Sequence, residues 1–552
     1  MGARWSSSVS VDPLTLSVFS HRLAGVAEEM GACLARSAFS PNIKERRDFS
    51  CAVFDRNGEM IAHAAHIPVH LGSAPLSVRA AIEAVDPGPG DVVVLNDPYA
   101  GGTHLPDVTL VAPVVRGDGK RIGYVANRAH HADVGGMAPG SMPLATEIYQ
   151  EGLRIPPVRI VKSGRPDEEL LRLFLANVRN ARERRGDLLA QIASLRLGAA
   201  RFLEIESAYG GPRTEALVRG LLASSERMMQ SVLRAIPQGN YEAEDVLDDD
   251  GFGRSEIRIR LRLRVRSGHA VFDFRESQDQ VRGGLNANRA VTIACVFYVL
   301  RCLASEPIPA NAGILRPVRV LTRPGSVVDA LFPSAVAGGN VETSQRIVDV
   351  ILRALARALP ERIPAASCGS MNNVALGGRD PRDGSEYSYY ETVAGGAGGG
   401  PAGPGVSAIH THMTNTRNTP IEALEAYYPL RVRRYAIRRN SGGRGKHPGG
   451  DGIVREIEFL APARVSLLGE RRRHGPYGLR GGGAGRPGLD RLVFADGRTK
   501  KLPPKGTFDV PPGARLLVAT PGGGGWGALR RSGRRRRSKA SVRARSGVSG
   551  AG

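Results

Sequence analysis

The chain has 552 residues, of which 41% are hydrophobic and 23% are charged, and its formal net charge is +23. This length allows two or three domains with a sizeable core, and the composition is that of an ordinary globular protein. Its five scattered cysteines contain no C-x-x-C pair, which excludes a disulfide framework and a cysteine-based zinc site and predicts a reducing, cytoplasmic location.

The first predicted elements are a long helix and a hairpin. Asp12-Pro13 is a good helix start, and it is followed by apolar residues every three or four positions as far as Leu34. A strand containing Cys51 and Val53 follows, and Asn57-Gly58 is typical of a hairpin turn. Residues 168–207 look helical, with an interruption near Gly186-Asp187.

The middle of the chain continues with mixed elements. Residues 214–236 predict a helix, and the strict alternation from Ile257 to Val265 predicts a half-exposed strand that turns at Ser267-Gly268. Residues 343–359 predict a helix capped by Thr343 or Ser344. The longest apolar run, residues 291–300, is far shorter than the ~20 residues of a membrane span, so no membrane partner is expected.

These patterns predict an α+β fold, a large intertwined mixed body with a β-rich, glycine-rich C-terminal half. The body covers residues 10–527, with soft subdivisions at 10–240, 241–395 and 396–527, and separate domains remain an alternative. Residues 528–552 carry nine Arg and Lys residues and no acid, so this tail is predicted to be disordered. It is the one segment expected to bind nucleic acid, and then only nonspecifically.

The densest chemistry lies in two loops, residues 96–107 and 130–136. Each follows an apolar run that reads as a buried strand, residues 92–95 and 122–126, and chemistry usually sits where strands open onto loops. The loops contain three carboxylates and three imidazoles, a ligand set suited to a divalent metal. These six residues are Asp97, His104, Asp107, His130, His131 and Asp133.

The spacing within the two loops assigns provisional roles. Pro106 stiffens the H-x-x-D pair of His104 and Asp107, so that both side chains can be held in one geometry. His130 or His131, with Asp133, would complete the ligand set. Three residues are acid–base candidates. Asp97 lies in the first loop, Glu151 lies downstream of the second loop, and His70 lies in a histidine-rich stretch before the first loop.

Other catalytic and nucleotide motifs are absent from the sequence. Residues 483–488 formally match G-x-G-x-x-G, but they follow no evident strand and Pro487 suits a helix opening badly. There is no G-x-x-x-x-G-K-[ST] loop and no G-x-S-x-G elbow. ATP is therefore not expected to bind to this chain through a self-contained phosphate loop.

Several blocks in order resemble the hydantoinase B family, which includes the B-type chain of N-methylhydantoinase, part of 5-oxoprolinase and the alpha subunit of acetone carboxylase. The resemblance covers roughly residues 10–527. The blocks are residues 46–50, 67–72, 96–107, 130–136, 150–157, 415–429 and 520–527.

The resemblance implies a division of labour. A hydantoinase A-like partner would bind ATP and phosphorylate a small cyclic amide such as hydantoin or 5-oxoproline, and this chain would complete the ring opening. In the carboxylase branch the corresponding chain holds manganese, which implies ligands at His104, Asp107 and His130 or His131, with Asp97 and Asp133 as further positions. The metal could be manganese or zinc. The alternatives are a ketone carboxylase alpha subunit and a polyanion binder that acts through the tail.

Overall fold

A computed structural model describes residues 12–64, 66–70 and 72–529. The helices in this part of the chain are α1 (Pro13–Ser37), α2 (Pro41–Lys44), α3 (Ala74–Val85), α4 (Ile148–Glu151), α5 (Glu168–Ala176), α6 (Ala181–Tyr209), α7 (Gly211–Arg234), α8 (Arg289–Leu303), α9 (Ser344–Ala358) and α10 (Ile421–Tyr427). A short π-helical segment, Gly339–Thr343, leads directly into α9.

The strands of the first two sheets are β1 (Phe49–Asp55), β2 (Met60–His63), β3 (Val92–Leu95), β4 (Asp107–Val115), β5 (Arg121–His130), β6 (Val158–Lys162), β7 (Arg165–Pro166), β8 (Gly239–Asp249), β9 (Ser255–Arg266), β10 (His269–Asp273) and β11 (Val318–Leu321). The remaining strands are β12 (Asn373–Arg379), β13 (Glu386–Thr392), β14 (Leu430–Arg438), β15 (Gly452–Phe459), β16 (Ala463–Leu468), β17 (Leu489–Val493), β18 (Thr499–Lys501), β19 (Lys505–Val510) and β20 (Arg515–Ala519).

The N-terminal sheet has the antiparallel order β2-β1-β5-β4-β3-β6-β7. Both of its faces are buried, as β1 shows, because successive side chains of a strand point to opposite faces. Cys51 and Val53 join a core that includes residues of α1 and α6, whereas Ala52 and Phe54 join a second core with α3, α8 and α9. The sheet is therefore covered by helices on both sides.

Three further sheets follow. The order β11-β10-β9-β8 is antiparallel except for the parallel pair of β10 and β11. The orders β13-β12-β16-β19 and β14-β15-β20-β17-β18 are antiparallel and build the C-terminal half, which confirms its β-rich character. One core contains Phe54, Ile259, Val348 and Leu468, so residues from distant parts of the chain pack together.

These contacts confirm the predicted α+β class and the intertwined body. The subdivisions at residues 240 and 395 stay predictions, and the predicted disordered tail lies outside the described residues apart from its first two positions. In the described part of the chain, no helix is long and apolar enough to cross a membrane.

The sequence patterns located most elements correctly, but they placed one helix interruption wrongly and predicted one helix cap that does not form. Asp12 caps α1 by accepting a hydrogen bond from the Thr15 amide at 2.9 Å, as expected. The predicted break at Gly186-Asp187 is wrong, because the chain leaves the helical path between α5 and α6, at residues 177–180. Gly186 lies inside α6, and its lack of a side chain allows Phe39 to pack closely against this helix.

The predicted start of α9 at Thr343 or Ser344 is confirmed, but the predicted side-chain cap is wrong. The π-helical segment continues into α9, so the first amides of α9 are already paired and no side chain caps them. Thr343 instead donates to the carbonyl oxygen of Leu285, and Ser344 donates to the carbonyl oxygen of Asn340 at 2.6 Å.

Candidate metal centre

Two neighbouring strands bring the central side chains together. Asp107 begins β4, His130 ends β5, and the two residues are register partners in the antiparallel pair. His104 precedes Asp107 by three residues, and the Asp107 amide donates to the His104 carbonyl oxygen at 3.1 Å, which closes a turn. All three side chains are at most 3% exposed.

Three atoms converge on one point. His104 Nε2 and His130 Nδ1 each lie 3.2 Å from Asp107 Oδ1, and the two ring nitrogens are 3.2 Å apart. Ligand atoms bound at about 2.0–2.2 Å to one tetrahedral ion are separated by roughly 3.3 Å, so this triangle fits a divalent metal. The two ring nitrogens face each other as well as the same carboxylate oxygen. Hydrogen bonds from imidazole protons pair these three atoms poorly, whereas one metal ion can bind all three.

The second oxygen of Asp107 is fixed by three other side chains. Thr103 donates to Asp107 Oδ2 at 2.5 Å, His70 Nε2 lies 3.3 Å from it, and Asn340 Nδ2 lies 3.4 Å from it. His70 is oriented in turn by Ser50, whose hydroxyl lies 2.9 Å from His70 Nδ1. The carboxylate is therefore held so that Oδ1 faces the two imidazoles.

The protonation states suit a cation. Burial lowers the pKa of His130, which favours the neutral imidazole that binds metals, and burial also lowers the pKa of the neighbouring His70. Burial alone would raise the pKa of Asp107, but its contacts with His104, first of all, and with His70 and His130 hold that pKa well below its usual range, so Asp107 is a carboxylate.

An aromatic ring and a further carboxylate border the triangle. His130 stacks on Tyr390 with ring centroids 4.6 Å apart and an interplanar angle of 22°. The Asp48 carbonyl oxygen accepts a hydrogen bond from the His130 amide at 2.9 Å. Burial raises the pKa of the Asp48 carboxyl, and the neighbouring His130 and Arg46 act to lower it.

The structure does not bring His131 or Asp133 into the triangle. His131 directly follows His130 and points elsewhere: its Nε2 lies 2.9 Å from Gln191 Oε1. Burial lowers the pKa of His131 to about 4. Asp133 pairs with Arg179 at 3.0 Å and accepts from the amides of Gly135 and Gly140, so this carboxylate organises its own loop.

Asp97 and Glu151 also lie outside the triangle. Asp97 accepts a hydrogen bond from the Tyr99 amide at 2.9 Å and pairs with Arg154 at 3.1 Å. Glu151 is fully buried, and its Oε1 accepts from the amides of Val336 and Ala337 at 3.0 and 2.9 Å. Burial raises the pKa of Glu151 to about 8.

Comparisons with known proteins identify the family of this chain. A family model described as hydantoinase B/oxoprolinase matches residues 12–529. The chain belongs to this family. 5-Oxoprolinase 1 of Arabidopsis thaliana is 40% identical over 94% of this chain, which spans 42% of that relative. A relative from a Pseudomonas species, named as a putative B-type chain of a D-/L-hydantoinase, is 31% identical, over 94% of this chain and 90% of the relative.

Two solved structures share the fold of this hydantoinase B/oxoprolinase chain. The ATP-dependent caprolactamase from Pseudomonas jessenii matches with a TM-score of 0.88 and 31% identity, over 94% of this chain and 92% of that one. An acetone carboxylase structure matches with a TM-score of 0.86 at 17% identity, over 94% of this chain and 76% of that one, and this likeness shows the fold alone.

Sequence patterns missed several side chains around the centre of this family member. Thr103 lies within the loop of residues 96–107 and Asp48 within the block of residues 46–50, but the sequence predicts no role for either. Asn340 and Tyr390 are more than 200 residues away along the chain, and neither lies in a motif with metal-ligand spacing. The one local signal for Asn340 is the preceding Gly338-Gly339, which indicates close backbone packing.

Proposed function

We propose that this chain is the B-type subunit of an ATP-dependent cyclic amidohydrolase, and that it completes hydrolysis of an intermediate phosphorylated by an A-type partner. The names of the relatives support this proposal, since they include a B-type hydantoinase chain and an ATP-dependent caprolactamase. The observation that carries it is the buried triangle of His104, Asp107 and His130 within a chain of this family.

The triangle would hold one divalent ion, manganese or zinc, through His104 Nε2, Asp107 Oδ1 and His130 Nδ1. When bound, such an ion lowers the pKa of water toward ~7 and polarises carbonyl oxygens. Phosphorylation of the amide oxygen by the partner would make the carbon a stronger electrophile. Together these two effects would strengthen the water nucleophile and the amide electrophile, both of which are too weak for hydrolysis of an unactivated amide near neutral pH.

The chain's own residues would provide rigidity and exclude water. Thr103, His70 and Asn340 hold Asp107 Oδ2, so that Oδ1 keeps its place without rotating. The nearly complete burial of His104 and Asp107 lowers the local dielectric and strengthens the electrostatic contacts within the site.

His70, Asp97 and Glu151 are our acid–base candidates for the same reaction. His70 is the one that contacts the triangle, through Asp107, and we propose that it positions this carboxylate. Asp97 and Glu151 contact backbone amides of loops around the centre. A cytoplasmic location fits the five free cysteines.

The experiment measures metal content and partner-dependent activity side by side. The purified chain and its His104→Ala/Asp107→Ala variant are analysed by mass spectrometry for manganese and zinc. Both are then assayed with an A-type partner, ATP and hydantoin, 5-oxoproline or caprolactam. We expect near-stoichiometric metal and ATP-dependent ring opening in the wild type, and loss of both in the variant. A folded, active, metal-free wild type would overturn the metal site.

A further inference from the structure

An arginine-rich cavity lies beside the candidate centre. It has a volume of about 390 Å³ and is lined by four arginines, Arg36, Arg46, Arg47 and Arg417. Three segments supply them: α1, the turn before β1, and the segment before α10. Glu28 is the one carboxylate among the described lining residues, so the cavity carries a formal excess of three positive charges.

Arg46 forms the floor of this arginine cavity and is fully buried. Its Nη1 donates to Asn42 Oδ1 and to the Tyr390 carbonyl oxygen, both at 2.8 Å. Its Nη2 donates to the hydroxyls of Thr392 and Thr416 at 3.1 and 3.4 Å. These partners are all neutral, and Arg46 Nε has no partner among the described residues. The nearby Asp48 carboxyl interacts with the Arg46 charge, but no hydrogen bond joins the two side chains among the described residues. A buried guanidinium without a bonded carboxylate is costly unless an anion completes its surroundings.

The other three arginines are exposed at the cavity mouth. Arg36, Arg47 and Arg417 are exposed and line the cavity, so a ligand in the cavity can reach their guanidinium groups. Burial lowers the pKa of the neighbouring His66 to about 4, so this ring is neutral at pH 7 and leaves the arginines to set the charge.

The arginine cavity and the candidate centre share one side chain. The Arg46 guanidinium carbon lies 5.0 Å from the centroid of the Tyr390 ring. His130 stacks on the same ring with a centroid separation of 4.6 Å. The ring of Tyr390 would therefore connect a ligand bound at Arg46 with His130 of the metal triangle.

We infer that the arginine cavity binds an oxyanion, the phosphoryl group of the activated intermediate that reaches this chain from its partner. This inference rests on the proposed function, and it identifies the phosphoryl group as the part of the intermediate that the arginine cavity binds. Arginines are suited to this role, because the planar guanidinium donates two parallel hydrogen bonds to phosphate oxygens. A substrate carboxylate offers similar chemistry, and the experiment separates the two sources.

The test uses the full chain without a partner. Calorimetric titrations with inorganic phosphate and with acetate, at one fixed ionic strength, compare the wild type with Arg47→Gln/Arg417→Gln. A matched control, Arg79→Gln/Arg172→Gln, removes two exposed arginines from α3 and α5 outside the cavity and changes the net charge equally. A third variant, Arg36→Gln, covers the case in which the double variant folds poorly.

We expect phosphate to bind the wild type and to bind Arg47→Gln/Arg417→Gln at least about tenfold more weakly. Arg36→Gln should also bind phosphate more weakly, whereas the control should keep the phosphate affinity of the wild type. Equal weakening in the control would overturn the inference, and so would tighter binding of acetate than of phosphate or no phosphate binding at all. Metal content and partner-dependent turnover are separate readouts, so failure here is distinguishable from failure of the proposed function.

Discussion

Asp107 and His130 face each other as register partners at the open end of the β4–β5 pair. Their side chains share one face of the sheet, and Asp107 Oδ1 lies 3.2 Å from His130 Nδ1. Directly opposed residues in an antiparallel pair lie within contact distance, so sheet register alone brings these two ligand atoms together. A shift of one residue would place His131 opposite Asp107 and turn the neighbouring side chains to the other face.

This register predicts opposite results for two neighbouring histidines. His130→Ala removes a corner of the triangle, so we expect metal affinity to fall by at least about 100-fold. His131→Ala removes a buried contact with Gln191, so it should leave metal stoichiometry unchanged and lower the free energy of unfolding by about 1–2 kcal/mol. Mass spectrometry of metal content and urea unfolding check both variants. Metal loss in His131→Ala would contradict this assignment.

A second prediction concerns the carboxylate that sequence spacing grouped with the metal ligands. Asp133→Asn weakens the pair between the buried Asp133 and the partly exposed Arg179, and it places an amide group where Oδ1 or Oδ2 accepts from backbone amides. We expect a loss of about 2–4 kcal/mol in the free energy of unfolding with metal content retained. Asp118→Asn, in an exposed turn, serves as the control. A stable variant without metal would show that Asp133 is a ligand.

Local patterns predicted much of the fold because they report local chemistry. The Asp12 cap, the alternation in β9 and the Asn57-Gly58 turn depend on neighbours along the chain, and each was located correctly. The predicted break at Gly186 is wrong because the role of this glycine depends on tertiary packing. A glycine can end a helix or make room for a neighbour, and only the position of Phe39 decides between these roles.

The same limit applies to the site. The loops with His104, Asp107 and His130 were predicted from residue types and spacing. The face on which each side chain lies depends on where β5 ends, and that boundary separates His130 from His131. Asn340 and Tyr390 reach the centre from distant segments, so no spacing could place them there.

A third prediction uses the buried carboxyl of Glu151. Its pKa rises from an ordinary value of 4.5 to about 8 in the folded chain, so the folded state keeps a proton that the unfolded state has released. The associated stability is fully present below pH 4.5 and is lost as the pH rises toward 8. We expect Glu151→Gln, which keeps an acceptor oxygen for the two amides, to flatten the decline of Tm between pH 5 and 8.

The control for Glu151 lies on the same short segment. Glu147 is exposed at the start of α4, so Glu147→Gln should leave the dependence of Tm on pH as it is in the wild type. Parallel Tm curves for the wild type and Glu151→Gln would contradict the proposed protonated state. Loss of partner-dependent turnover in Glu151→Gln, with the Tm curve flattened as expected, would add a catalytic role to the structural one.

The last prediction concerns the backbone that carries Asn340 to the centre. A Cβ atom at Gly339 would clash with the Asn286 carbonyl oxygen, so Gly339→Ala must displace the π-helical segment that holds Asn340 near Asp107. We expect a loss of about 3 kcal/mol in the free energy of unfolding, together with weaker metal binding. Gly25→Ala is the matched control, because among the described residues no atom outside its chain neighbours and the nearby backbone of α1 lies within 4 Å of its added Cβ. This change in the interior of α1 should stabilise the chain by about 0.5–1 kcal/mol. Urea unfolding and metal titration measure both variants, and unchanged metal affinity in Gly339→Ala would show that Asn340 does not support Asp107.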